Sequence, residues 1–227
     1  PRLDNAVAWS VKSCYDLAVS IACAKETYMV AQPHSYIDEA TYLAAERAST
    51  SRNEYYAGVI YAMAGASEQH NLIASNILAS LHTQLRGRAC RIYASDMRLK
   101  VLHTGLNTYP DLAIICGPPQ FTDPTKRDTL TNPVVLVEIL SPSTERYDRG
   151  LKFQHYRTIE SLQIYVLVAQ DCPYVEWYTR QGQHWLLNDA SGLDATVELL
   201  TLAVQLKLHD VYAQVELAPG PAQLFSD

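Results

Sequence analysis

Apolar positions recur along the chain in two periods, and the changes between them mark out the elements. In SEQHNLIASNILASLHTQLRG the residues Ile73, Ile77, Leu81 and Leu85 stand at four-residue steps. That is the stripe of an amphipathic helix, and Gly87 closes it at the C-terminal end. Upstream, Ser35 and Asp38 are cap candidates for a short helix running through Ala45. STSRNEYYAGVIYAMAG then reads as a hairpin turning at Ala57-Gly58. After the long helix come CRIYASDMRLKVL, TYPDLAIIC and PVVLVEIL, three apolar runs rich in β-branched residues and bounded by Gly, Pro or Asn. They predict three consecutive strands. SPSTERYDRGLKFQHYRTI returns to helical spacing, and SLQIYVLVAQ is a further strand. YVEWYTRQGQHWLLN predicts a second hairpin around Gln181-Gly182, and the tail, with Pro219 and Pro221, is expected to pack on one edge and end in a loop. The succession helix, three strands, helix, strand defines an α/β core. An N-terminal helix and hairpin precede it and a C-terminal hairpin extension follows.

Composition narrows the class. The 227 residues carry 18 Lys+Arg against 24 Asp+Glu, a net charge of −6, with 48% hydrophobic and 19% charged residues. Mean hydropathy is −0.10. This is an ordinary globular balance that excludes collagen-like, low-complexity and polyelectrolyte chains. No apolar run approaches the ~20 residues that cross a bilayer, so a cytoplasmic protein with no membrane contact is expected. Five cysteines, Cys14, Cys23, Cys90, Cys116 and Cys172, form no C-x-x-C pair, which predicts reduced, mostly buried thiols. Lys12, LAVSIACA and Lys25 imitate a signal peptide, but the apolar stretch is short and Asp16 stands at its start. Residues 1–28 are therefore read as an extension outside the fold, with a native start at Met29 and a single domain over 29–227.

The acids inside apolar strands carry the chemistry. Asp111 follows Pro110 and opens DLAIIC, and Glu138 interrupts VVLVEIL. A buried carboxylate is costly unless paired or bound to a metal, and oxygen ligands on a rigid sheet suit Mg²⁺ or Mn²⁺. Taken singly, either acid equally fits a strand-end residue paired with an Arg. Asp148, Lys152 and Tyr156 fall at i, i+4 and i+8 on one helical face, with Lys152 as the candidate cation. The plain alternative is a surface Asp148–Lys152 pair. Arg86, Arg88, Arg91, Arg98 and Lys100 make one region of basic density, either a track for a nucleic-acid backbone or a solvated face. Asp96 is either a further acid or the partner of Arg98.

These residues also carry a family resemblance. Pro110-Asp111, Glu138 and a nearby Lys look like the PD-(D/E)-x-K nuclease signature. More specifically, EYYAGVIYAMAGASEQHN, SDMRLKV, YPDLAIICGPP, TNPVVLVEILSPSTERYDRGLKFQHYR and YVLVAQDCPYVEWYTRQG resemble the Uma-two family of putative restriction endonucleases, in order, from Tyr36 to Leu217. The resemblance implies a restriction-endonuclease-like fold with Asp111 and Glu138 as ligands of Mg²⁺ or Mn²⁺. Leu140 stands where an E-x-K pattern has its Lys, and Lys152 matches the place where this family keeps a Lys on the following helix. Glu54 and His70 also match family positions, as supporting groups near the metal and a phosphate. For Glu54 the alternative is a surface strand acid, and for His70 a capping or core histidine.

The resulting expectation is a Mg²⁺-dependent endonuclease that hydrolyses phosphodiester bonds in DNA, with Asp111, Glu138 and Lys152 catalytic. Glu54, His70, Asp148 and Tyr156 stand as supporting residues. A homodimer suits a double-strand cutter. The alternative is a nuclease-fold protein that binds nucleic acid or a protein partner without cutting. A two-carboxylate sugar hydrolase is a weaker third reading, separated by its independence of metal.

Overall fold

The computed structural model describes residues 36–217. The expected extension over 1–28, Met29, Cys14, Cys23, the Ser35 cap and the two tail prolines lie outside the described residues. Helix α1 (Glu39–Ala48) starts where Asp38 accepts the Thr41 backbone N–H at 2.9 Å. Strands β1 (Asn53–Tyr56) and β2 (Val59–Ala62) pair antiparallel with Tyr56 opposite Val59. Their turn residues, Ala57 and Gly58, have φ of 50° and 85°, the left-handed conformation that a two-residue turn matched to strand twist requires. Helix α2 (Glu68–Leu85) is capped by Ser67 and buries the predicted stripe, Ile73, Ile77, Leu81 and Leu85.

The strands that follow divide between two sheets. They are β3 (Cys90–Ala94), β4 (Arg98–Lys100), β5 (Asn107–Thr108), β6 (Leu112–Cys116), β7 (Thr129–Leu130) and β8 (Val135–Leu140). A helical stretch then runs through α3 (Glu145–Tyr147), a π-helical turn (Asp148–Lys152) and α4 (Phe153–Tyr156). Strands β9 (Ile164–Ala169), β10 (Tyr174–Gln181) and β11 (His184–Ser191) follow. The larger sheet has the order β11-β10-β9-β8-β6-β3 and the smaller one β2-β1-β5-β4-β7. In the larger sheet β8 and β9 are parallel, and the helical stretch is the crossover that parallel neighbours need. Its other pairings are antiparallel. Every residue of β8 and β9 is buried because both faces are covered. Val135, Val137, Ile139, Ile164, Val166 and Val168 join the α2 stripe on one face. Leu136, Leu140, Tyr165 and Leu167 join Tyr156, Leu99 and Leu130 on the other.

The core order helix, three strands, helix, strand is thus α2, β3, β6, β8, the helical stretch and β9. Four sequence expectations need correction. CRIYASDMRLKVL is two strands, because the chain turns between Ala94 and Met97 and sends β4 into the smaller sheet. The C-terminal tail is part of the core. Strands β12 (Thr196–Leu199) and β13 (Val204–Lys207) form a hairpin through a 3-10 turn (Leu200–Leu202), and α5 (Leu208–Val211) follows. Its buried Val197, Leu199, Val204, Leu206 and Leu208 pack in the α2 cluster. Finally, Cys90 and Cys116 are disulfide-bonded instead of reduced, because the register of β3 on β6 sets them directly opposite. The second hairpin turns one residue later than expected, at Gly182-Gln183, with Gln181 opposite His184.

Candidate active site

The pairing of β6 with β8 brings the two strand acids together. Leu112 faces Val137, so Asp111, one residue before β6, continues the register to Glu138. Asp111 Oδ2 accepts the Ile139 backbone N–H at 2.7 Å and lies 3.1 Å from His70 Nε2, on the first turn of α2. Glu138 is 3% exposed, and its Oε1 accepts the Tyr156 hydroxyl at 2.8 Å. The same oxygen lies 3.0 Å from Lys152 Nζ.

Lys152 reaches this point from the π-helical turn, which widens the helix by one residue per turn and is often found at functional sites. Its ammonium is 3.2 Å from Asp148 Oδ1 and 3.6 Å from Glu54 Oε1, and only 4% of the residue is exposed. The alternative of a surface Asp148–Lys152 pair gives way to a buried one, and Glu54 is a buried acid instead of a surface strand acid. Glu54 comes from β1 and is fixed at both oxygens. Thr108 donates to Oε1 through a short hydrogen bond, and Tyr147 donates to Oε2 at 3.0 Å. The Tyr165 hydroxyl donates to the Asp148 carbonyl at 3.1 Å. The structure thus gathers Glu54, Asp111, Glu138, Asp148, Lys152, Tyr156 and His70 in one linked set. Thr108 and Tyr147 belong to it and have no separate signal in the sequence.

The electrostatics of this cluster are lopsided. Among the described residues three carboxylates, Glu54, Glu138 and Asp148, lie within 3.6 Å of the Lys152 ammonium, and a fourth, Asp111, acts on Glu138 from beside it. Burial pushes the Glu138 carboxyl well above its ordinary pKa against the pull of Lys152, and the neighbouring Asp148 and Asp111 push the same way. For Lys152 burial opposes the charge, but Glu138, Glu54 and Asp148 outweigh it and hold its pKa above the usual value. Asp148 Oδ1 faces Nζ without the alignment of a hydrogen bond, and His70 Nδ1 has no partner. Such a set is short of positive charge. Asp111 and Glu138 each commit one oxygen to protein donors, so the two strand acids fit the role of oxygen ligands to a hard cation. Among the described residues no group of three or more His, Cys, Asp or Glu side chains converges as a metal cage.

Other candidates fall elsewhere. Asp96 pairs with Arg52 at 2.8 Å and not with Arg98. The basic track is broken. Arg98 is buried against Thr129, Tyr109 and Asp128, and Lys100 pairs with Glu39, which leaves Arg86, Arg88 and Arg91 exposed. His155, unremarked in the sequence, is buried with both ring nitrogens unpartnered and its edge on Tyr56, and burial lowers its pKa.

The family model for the Uma-two proteins, described as putative restriction endonucleases, matches residues 39–210. The chain belongs to this family. It is 37% identical over 171 residues to an uncharacterized protein of a Synechocystis species, an alignment that covers 75% of this chain and 96% of that protein. A second uncharacterized Synechocystis protein is 32% identical over 181 residues, covering 79% and 93%. Among solved structures, a putative nuclease from Anabaena variabilis superposes with a TM-score of 0.61 over 74% of this chain and 93% of that one. At 20% identity that likeness establishes the shared fold. In this Uma-two chain the matched segment contains every member of the Lys152 cluster. No described helix is long and apolar enough to cross a membrane.

Proposed function

We propose that the chain is an endonuclease that hydrolyses phosphodiester bonds in DNA with Mg²⁺ or Mn²⁺ held by Asp111 and Glu138. The observation that carries this reading is the meeting of two strand-end carboxylates with a buried lysine, Lys152 lying 3.0 Å from Glu138, in a cluster with more negative than positive charge. A divalent cation bound there supplies charge against the scissile phosphate and makes water more acidic. The chain's own residues do the rest. Lys152 orients the attacking water and offsets charge that grows on the phosphate. Asp148 and Glu54 hold its ammonium in place from the helix and from β1. Tyr156 fixes Glu138, while the Ile139 N–H and His70 fix Asp111. The non-cutting alternative leaves this charge imbalance without a purpose, although burying ions in that way costs stability.

The test is cleavage of supercoiled plasmid and of single-stranded oligonucleotides with Mg²⁺ or Mn²⁺. Cation-dependent cutting is expected, falling at least ~100-fold in each of Asp111→Ala, Glu138→Ala and Lys152→Ala. A folded protein that binds neither cation and cuts nothing overturns the reading. Because cutting both strands takes two such sites, a double-strand cutter is expected to sediment as a symmetric dimer.

A further inference from the structure

We propose that Arg86, Arg88 and Arg91 form a second contact site for a nucleic-acid backbone, remote from the catalytic cluster. This inference rests on the nucleic-acid reading above and extends it. The three arginines are exposed and line an open cleft of about 440 Å³ between the C-terminal end of α2 and β3, whose lining also includes Leu85, Ile92 and Tyr93. Among the described residues none of the three is paired with a carboxylate, and Arg91 Nη1 donates only to the Gly117 carbonyl, at 3.2 Å. The contrast with their neighbours in sequence is sharp, since Arg98 and Lys100 are both committed to acids.

On a chain of net charge −6, three uncompensated guanidinium groups within six positions are a local reversal of sign, the footprint that attracts a polyanion. All three are Arg and none is Lys, which favours the forked hydrogen bonding that phosphate oxygens accept. The alternative role, offsetting the dipole at the end of α2, accounts for one or two charges in the last turn. It does not account for Arg91, which lies on β3.

Position gives the site a length signature. His70 marks the catalytic end of α2 and Leu85 the opposite end, about 20 Å away at the helical rise. Along a duplex that distance is about six base pairs. DNA bound at Asp111 and Glu138 therefore reaches the arginines only if it extends at least that far beyond the reacting phosphate.

The test is fluorescence anisotropy with a 30-base-pair duplex over a salt series, in EDTA so that no cutting intrudes. It compares the natural chain with the Arg86→Ala/Arg88→Ala pair and with the triple variant that adds Arg91→Ala. The triple variant is expected to lose on the order of 100-fold in affinity near 0.1 M salt, and its slope of log K against log salt is expected to fall by about 2 to 3. The pair is expected to show about two thirds of that slope change, and a role confined to the helix dipole moves the melting temperature and leaves the slope alone. Unchanged affinity and slope in both variants overturn the proposal. Arginine-dependent binding of polyglutamate without binding of DNA also overturns it, in favour of an acidic protein partner. Cutting is read separately with Mg²⁺, so loss of the nuclease reading and loss of this site are distinguishable.

Discussion

The protein holds two ionic clusters, each built around a buried cation, that differ in whether their charges balance. Around Arg98, the guanidinium donates to Thr129 at 2.9 Å and to Tyr109 at 3.1 Å and pairs with Asp128 at 3.2 Å. Arg47 takes the same Asp128 oxygen at 2.7 Å. Glu46, beside them, accepts from the Asn53 backbone and side chain and from Tyr109, each at 2.9 Å. Two cations face two carboxylates. The Arg47 hydrogen bond accordingly holds Asp128 below its ordinary pKa. Around Lys152 one cation faces three carboxylates, with Asp111 beside Glu138 as a fourth acid, and burial drives Glu138 in the opposite direction. A balanced, satisfied network stabilises the part of the fold that contains it. An unbalanced one is held in place by the fold and has capacity left for a ligand.

Breaking the balanced cluster is expected to have the largest effect on stability. Arg98→Ala leaves Asp128 with Arg47 as its one guanidinium partner and takes the donor from buried Thr129 and Tyr109, so urea unfolding should show a loss of about 2 to 4 kcal/mol. The sharper comparison is between neutralised carboxylates. Asp128→Asn removes the negative charge that two guanidinium groups share and should lose about 1 to 3 kcal/mol. Glu138→Gln resembles the protonated state that burial already favours, and at neutral pH without metal it should leave stability unchanged or raised.

The two clusters should also titrate in opposite senses. Glu138 has its folded pKa raised above the ordinary 4.5, so its contribution is full below that value and is lost as pH rises toward the raised one. Metal-free thermal stability should therefore decline with rising pH in the natural chain and decline less in Glu138→Gln. Asp128 has its folded pKa lowered below 3.8, so its contribution is present above that value and lost as pH falls through the depressed one. Acid unfolding should accordingly begin at higher pH in Asp128→Asn than in the natural chain. The smallest effect is at His155, whose ring nitrogens are buried without partners. His155→Phe keeps the edge contact with Tyr56 at 4.6 Å and should change stability by no more than about 1 kcal/mol.

Much of the core and part of the candidate site were legible in the sequence, for physical reasons. Asp111 and Glu138 stand out because acids are rare in runs as apolar as DLAIIC and VVLVEIL, and the spacing of Asp148, Lys152 and Tyr156 put them on one helical face. What the spacing left open was burial. Whether Lys152 faced water or Glu138 depended on the crossover between β8 and β9, a tertiary choice. Glu54, Thr108 and Tyr147 lie on a hairpin, a two-residue strand and a short helix whose meeting is set by the smaller sheet, and local pattern does not report it. Arg98 looked like one more member of a basic run, since a buried arginine differs from an exposed one only by its partners. The disulfide was hidden for the same reason, because 26 residues of separation say nothing about register. The tail is different. Its alternation of Val197, Leu199, Val204 and Leu206 was a readable strand signal with the period of a half-buried hairpin.

The central claim, that the Lys152 cluster has capacity for a divalent cation and the Arg98 cluster does not, is tested most directly by the melting temperature with and without millimolar Mg²⁺ or Mn²⁺. A rise of about 5 °C is expected for the natural chain near a hundredfold excess over the dissociation constant. The rise should be kept in Asp128→Asn and lost in Asp111→Asn and Glu138→Gln. No rise in the natural chain, or the same rise in both site variants, contradicts the account.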